Sequence, residues 1–137
     1  MNVTEQDLDL LSRTLWGEAR GESILGQIAV VHVVMNRARL KGQSITQIVS
    51  KDYQFSCWLG GSSKGPDGGD NEMHAPEDQL APLRSVVEDC LSGKEADPTG
   101  GATHYFATWL DTKPSWALTG EQTVIIGNHE FYKGIKF

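Results

Sequence analysis

The chain has 137 residues and a formal net charge of −6. That length suits one domain, residues 1–137, with enough core to need neither metal nor disulfide staples. The acidic balance argues against nucleic acid as the main partner, since phosphate neutralisation needs clustered Lys and Arg. Hydrophobic residues at 39% and charged residues at 22% exclude a disordered chain.

Cys57 and Cys90 are too few to staple a secreted domain and read as free thiols. The acidic start, Met1 to Asp7, lacks the basic and apolar regions of a signal peptide. The longest apolar stretch, Ile28 to Met35, is broken by His32 and is too short to cross a membrane. These features predict a soluble monomer made in the cytoplasm, with no membrane insertion, that reaches any outside target only after release.

The first helix is expected to start at Thr4, with Asp7 three residues on in a capping-box position. Leu8, Leu11 and Leu15 give it one apolar face, and Gly21 offers a left-handed stop. A second helix spans about Ser23 to Leu40. Its β-branched run could mark a strand, but its length and polar flanks favour a buried helix. A short third helix covers Ser44 to Val49. Residues 50–74, rich in Gly, form a long loop of the kind that often carries function. A fourth helix runs from Pro76 to about Ser92, with Pro82 expected to kink it or delay its regular part. Asp97 to Gly101 is a turn. His104-Tyr105-Phe106 and Val124 to Tyr132 are short strands or extended loops over a cleft. The fold class is therefore mainly α, a helical domain with a small loop-rich or short-strand region.

Glu18 is the first candidate for chemistry. A carboxylate in the last turn of a helix faces the negative end of the helix dipole, which favours its protonated form. Trp16 nearby adds desolvation. A protonated Glu is what a general acid for glycosidic cleavage requires. The plainer reading is a solvated helix-end Glu paired with Arg20 or a lysine.

The blocks Trp16-Gly17-Glu18-Ala19-Arg20-Gly21-Glu22, Gly26-Gln27-Ile28-Ala29-Val30-Val31 and Val34-Met35-Asn36-Arg37 resemble the cell-wall hydrolase family of the spore-cortex-lytic enzymes. Pro98-Thr99-Gly100-Gly101-Ala102, Tyr105-Phe106 and Ile126 to Tyr132 resemble its later blocks, in the same order. The resemblance implies a lysozyme-like fold and cleavage of peptidoglycan glycan strands between N-acetylmuramic acid and N-acetylglucosamine. It assigns the catalytic carboxyl to Glu18 and calls for no cofactor. A bare catalytic domain of this size is also similar to a phage or prophage endolysin.

One carboxyl suffices for a lytic transglycosylase, in which the muramic acid 6-hydroxyl attacks and a 1,6-anhydro sugar forms. A hydrolytic muramidase needs a second carboxylate, at about 5–5.5 Å or about 6.5–9.5 Å. Glu22 and Asp52 are the candidates, although Glu22 is better placed to cap the second helix. No obligatory second carboxylate stands out, which favours the transglycosylase.

Asn36 is a candidate for the substrate's acetamido group, or else bonds backbone at a helix end. Gln54, Tyr105 and Tyr132 are candidates for a glycan cleft, where aromatic faces meet sugar C–H groups. His104, Asn128 and His129 could bond sugar hydroxyls or satisfy loop backbone. Glu22 completes the substrate-binding set. His32, on an apolar helix, reads as a core histidine.

The four histidines are scattered and lack zinc-ligand spacing, so no metal is expected. Ser56-Cys57-Trp58 weakly resembles a cysteine-peptidase nucleophile region, with His104 and Asn128 as partners. A non-catalytic glycan-binding module is the third class, against which the presence of Glu18 argues.

Overall fold

The computed structural model describes residues 2–50 and 75–136. Four helices come first: α1 (Glu5–Ala19), α2 (Ile24–Lys41), α3 (Ile45–Ser50) and α4 (Glu77–Leu91). Three strands follow: β1 (His104–Ala107), β2 (Glu121–Ile126) and β3 (His129–Lys133), with a 3-10 turn at Ser115–Leu118. The mainly helical class with a short-strand region is the one observed.

The predicted cap on α1 is present in full. The Thr4 hydroxyl accepts from the Asp7 N–H at 3.1 Å, and an Asp7 oxygen accepts from the Thr4 N–H at 3.0 Å. Asp7 also accepts from the Thr46 N–H at 2.9 Å and from the Thr46 hydroxyl, tying α1 to α3. Burial pushes the Asp7 carboxyl up, but the donors from Thr46 and Thr4 outweigh it and leave its pKa below the ordinary 3.8.

A group with a depressed folded pKa stabilises the fold above its ordinary value and loses that effect as pH falls below it. Asp97 and Glu22 are depressed too, each because hydrogen bonds outweigh burial. Stability is therefore expected to drop as pH falls below about 4. Asp7→Ala, which orphans the Thr46 and Thr4 donors, should cost roughly 2–3 kcal/mol at neutral pH. Urea melts of both proteins at neutral and acid pH check this, and the gap between them should narrow in acid.

The α1–α2 junction differs from expectation. Arg20, the C-cap of α1, keeps helical angles, and Gly21 is not among the left-handed glycines. The cap of α2 is Ser23, whose hydroxyl accepts from the Gly26 N–H at 3.2 Å, and not Glu22. The left-handed stop appears at Gly42, after α2. Pro82 lies inside α4, which nonetheless runs from Glu77 to Leu91, with Pro76 as its N-cap.

Helix α2 is the centre of the fold and is buried on two sides. Ile28, Val31, Val34 and Ala38 join Leu11 and Leu15 of α1, Ile45 and Ile48 of α3, and Leu83 and Val87 of α4. Ala29 and Val33 face the other way and pack with Ala102, Ile126 and Phe131. Burial on both sides explains why the run is apolar nearly all round. His32 is a satisfied core histidine, its Nε2 lying 2.9 Å from the Glu95 carbonyl.

The sheet is antiparallel with order β1-β3-β2. Tyr105 pairs with Phe131, which pairs with Val124 on the far strand. His104 pairs with Tyr132, which pairs with Gln122. Side chains alternate along β1 and β3, so these two rows lie on opposite faces there, and a register shift between Gln122 and Val124 lets β2 follow both rows.

Candidate active site

Glu18 is the next-to-last residue of α1 and is half-buried. Its Oε1 accepts a hydrogen bond from the Tyr105 hydroxyl at 2.9 Å. Tyr105 comes from β1, on the sheet face turned towards α2, and its ring packs on Phe131 at 5.7 Å. The His129 ring stands edge-on to Tyr105, 4.8 Å between centroids. The helix end and the sheet face thus meet at one carboxyl.

Arg37 was not singled out from sequence, yet it belongs here. It is 6% exposed, and its Nε donates to the Thr103 carbonyl. Burial lowers the pKa of its guanidinium, while the nearby Tyr105 and Glu18 favour the charge. A buried cation therefore lies near enough to Glu18 and Tyr105 for their charges to influence it. The signal was present in sequence, since Arg37 continues the Ala29–Val33 stripe at one further helical turn. A buried Arg requires an acceptor or an anion beside it.

Glu22 and Asn128 meet across the gap between the α1–α2 junction and the β2–β3 turn. Glu22 Oε1 accepts from the Asn128 N–H at 3.1 Å, and Oε2 accepts from Asn128 Nδ2 at 2.9 Å. His129 Nδ1 lies 3.8 Å from Glu22 Oε1. Burial pushes the Glu22 pKa up, but the Asn128 donors and His129 hold it below 4.5, so it is ionised at neutral pH. Burial pulls the His129 pKa below 6.5, outweighing the opposing pull of Glu22 and Glu18, so its ring is neutral there. Its Nδ1 is buried and has no hydrogen-bond partner among the described residues.

Three expected substrate contacts lie elsewhere. Asn36 is 2% exposed, and its amide is occupied. Its Nδ2 donates to Asp97 at 3.1 Å and to the Ala102 carbonyl at 2.9 Å, while its Oδ1 accepts from Arg39 at 2.7 Å. Asp97 in turn accepts from the Thr99 N–H, the Thr99 hydroxyl and the Gly101 N–H. The Asn36 amide and the 97–102 turn therefore make a structural knot leading into β1, and both polar atoms of the buried amide are engaged within the fold.

His104 and Tyr132 lie on the sheet face opposite Tyr105. There they form an aromatic cluster with Phe106 and Trp116, with Trp116 4.9 Å from His104 and 5.5 Å from Tyr132. Burial, helped by Arg37 and Lys41, pulls the His104 pKa down to about 4. The Tyr132 hydroxyl is spent on Glu130 at 3.1 Å and Gln122 at 3.4 Å. Strand alternation is the reason, because neighbours in a strand cannot share a face.

Gln54, Asp52 and Cys57 lie outside the described residues. Cys90 is buried, and burial with the nearby acidic Glu95, Asp89 and Asp97 raises its pKa to about 12, which makes it inert as a nucleophile. Among the described residues, no three His, Cys, Asp or Glu groups are placed to hold a metal ion. No described helix is long and apolar enough to cross a membrane.

The chain is similar to several known proteins. The chain is similar to the spore cortex-lytic enzyme of Halalkalibacterium halodurans, 31% identical over 131 residues, 93% of this chain and 35% of that protein. It is 29% identical over 133 residues to the spore cortex-lytic enzyme of Bacillus cereus, covering 95% of this chain and 45% of that protein. The chain therefore spans less than half the length of these curated relatives, which are named for the spore cortex and not for a phage. Among solved structures, it matches the catalytic domain of the germination-specific lytic transglycosylase SleB from Bacillus anthracis. The TM-score is 0.75 at 26% identity, over 96% of this chain and 98% of that one. The catalytic domain of Bacillus cereus SleB matches with a TM-score of 0.74 at 28% identity, over 96% and 93%. A family profile described as Cell Wall Hydrolase matches residues 21–132, and the chain belongs to that family.

Proposed function

We propose that this chain cleaves peptidoglycan glycan strands between N-acetylmuramic acid and N-acetylglucosamine as a lytic transglycosylase, with Glu18 as acid and then base. The observation that carries the reading is the position of the Glu18 carboxyl, half-buried where the end of α1 meets the sheet, with the Tyr105 hydroxyl donating to its Oε1. Both oxygens of the nearby Glu22 are held by Asn128.

Glu18 protonates the glycosidic oxygen as the bond to the anomeric carbon breaks. The 6-hydroxyl of the same muramic acid then closes on that carbon, and ionised Glu18 takes its proton. No water is consumed, and the acid is restored. Between the two steps the buried guanidinium of Arg37 and the Tyr105 hydroxyl stabilise the carboxylate. The lytic transglycosylase whose catalytic domain this fold matches supports the same chemistry. Asn128 is exposed at the turn beside Tyr105 and is the group there that can meet a sugar, whereas His129 is buried behind it.

Mass spectrometry of digested peptidoglycan tests the proposal. Anhydromuramic ends are expected, whereas reducing muramic ends would make the enzyme a muramidase and cleaved peptides would remove both readings. Tyr105→Phe should lower kcat about 10-fold with little change in KM, because it removes one hydrogen bond to the reacting carboxyl. Steady-state kinetics on soluble glycan fragments measure this. With a net charge of −6, the chain is repelled by an anionic wall, so moderate added salt should raise the rate of wall lysis. A turbidity assay across ionic strength reads the sign.

A further inference from the structure

We infer that Glu22 is a positioning residue: it latches the β2–β3 turn to the α1–α2 junction and so keeps His129 and Tyr105 in place against Glu18. The activity readout of this inference rests on the glycan-cleaving reading above, but the latch itself is a matter of geometry.

Glu22 and Asn128 are 106 residues apart, yet the carboxylate grips both the main chain and the side chain of Asn128. Gly127, just before it, has φ +56°, and a Cβ there would sit 2.7 Å from Glu22 Oε1. The left-handed angle favours glycine, and a side chain there would also push the Glu22 carboxylate out of its place against Asn128. The same fit is seen on α2, where a Cβ on Gly26 would meet the Glu22 Cβ at 3.1 Å. The Gly17-Glu18-Ala19-Arg20-Gly21-Glu22 block and the Gly127-Asn128-His129 block are thus two halves of one contact.

From the latch the contacts run to the acid. His129 follows Asn128 and pairs with Ile126 across the hairpin. Its ring lies edge-on to Tyr105, and the Tyr105 hydroxyl holds Glu18. The charged and titratable groups around this path are Glu22, His129, Glu18 and Arg37. One junction therefore carries the acid on its first side and the latch on its second. A latch of this kind affects catalysis through geometry, where a displacement of about 1 Å can cost about 100-fold.

The test compares Glu22→Ala and Glu22→Gln in this chain, alone and combined with Tyr105→Phe. Glu22→Ala should lower kcat about 100-fold with KM changed far less, and Glu22→Gln, which keeps one acceptor for the Asn128 N–H, should fall between it and the parent. In the Tyr105→Phe background the Glu22 effect should shrink, because both act along one path. The His129 ring protons, shifted by the Tyr105 ring, should move in the NMR spectrum of Glu22→Ala. If Glu22→Ala does not fold, Glu22→Gln and its double variant carry the comparison. Unchanged kcat, or a loss that simply adds to that of Tyr105→Phe, overturns the latch. Unmoved His129 signals overturn it as well. If Glu18→Gln leaves activity intact while His129 still responds to Glu22, the glycan-cleaving reading fails and the latch stands.

Discussion

Replacing Glu18 by Gln should reduce glycan cleavage by at least about 1,000-fold while leaving the protein folded. A positioned general acid contributes about 100- to 10,000-fold, and here the same group must also serve as base, so both steps lose it. Glutamine keeps an oxygen that can accept from the Tyr105 hydroxyl at the position of Glu18 Oε1. It has no proton to give to a glycosidic oxygen at neutral pH. The substitution therefore separates chemistry from structure. The far-ultraviolet circular dichroism and the urea midpoint should match the parent, and binding to purified sacculi should persist. Muropeptide release, followed by chromatography, should fall to background. A variant that still lyses walls at the parent rate would remove Glu18 from the chemistry altogether.

Phe131→Ala should be the most destabilising single truncation around the site, at about 3–5 kcal/mol. Phe131 has 0% exposure and sits on the central strand of the sheet, between Tyr105 and Val124 in register. Its ring fills the space against Ala29 and Val33 of α2, small side chains that cannot swing in to close a hole. The ring also supports Tyr105 from beneath. Domains are commonly stable by only about 5–15 kcal/mol, so the loss is a large share of the whole. A urea melt should show a much lower midpoint, and activity should fail at temperatures the parent withstands. Ile125→Ala on the edge strand, where the side chain is 53% exposed, should stay within about 0.5 kcal/mol and serves as the contrast.

Most local features are legible from the chain, the Gly21 stop being an exception, and long-range ones are not. The Thr4–Asp7 capping box follows from spacing alone, because both partners lie within one turn. Helix α2 was legible despite its Val-rich run, since its length exceeds that of any ordinary strand. The order β1-β3-β2 depends on pairings between distant segments that no local pattern records. For the same reason Glu18 and Tyr105 could each be proposed, but not the bond between them.

The misplacement of His104 and Tyr132 has a simple physical source. A motif names neighbouring residues together, whereas a strand sends neighbours to opposite faces, so Tyr105 reaches Glu18 and His104 turns away to Trp116. Asn36 was legible as important and not as structural, because the Asp97 and Ala102 groups that consume its amide lie about 60 residues away. For Glu22 the sequence offers a helix cap, a second carboxylate or a substrate contact but not its remote partner Asn128, and Ser23 performs the capping one residue later. Arg37 was open to inference, as a guanidinium within an apolar helical stripe has to meet a buried partner.

The central claim is that Glu18 directs an intramolecular closure in which water takes no part. Digesting purified glycan strands in heavy-oxygen water and weighing the released ends tests it most directly. The account predicts anhydromuramic ends that carry no heavy oxygen. Reducing ends that each carry one heavy oxygen would contradict it, because water would then be the group that attacks the anomeric carbon.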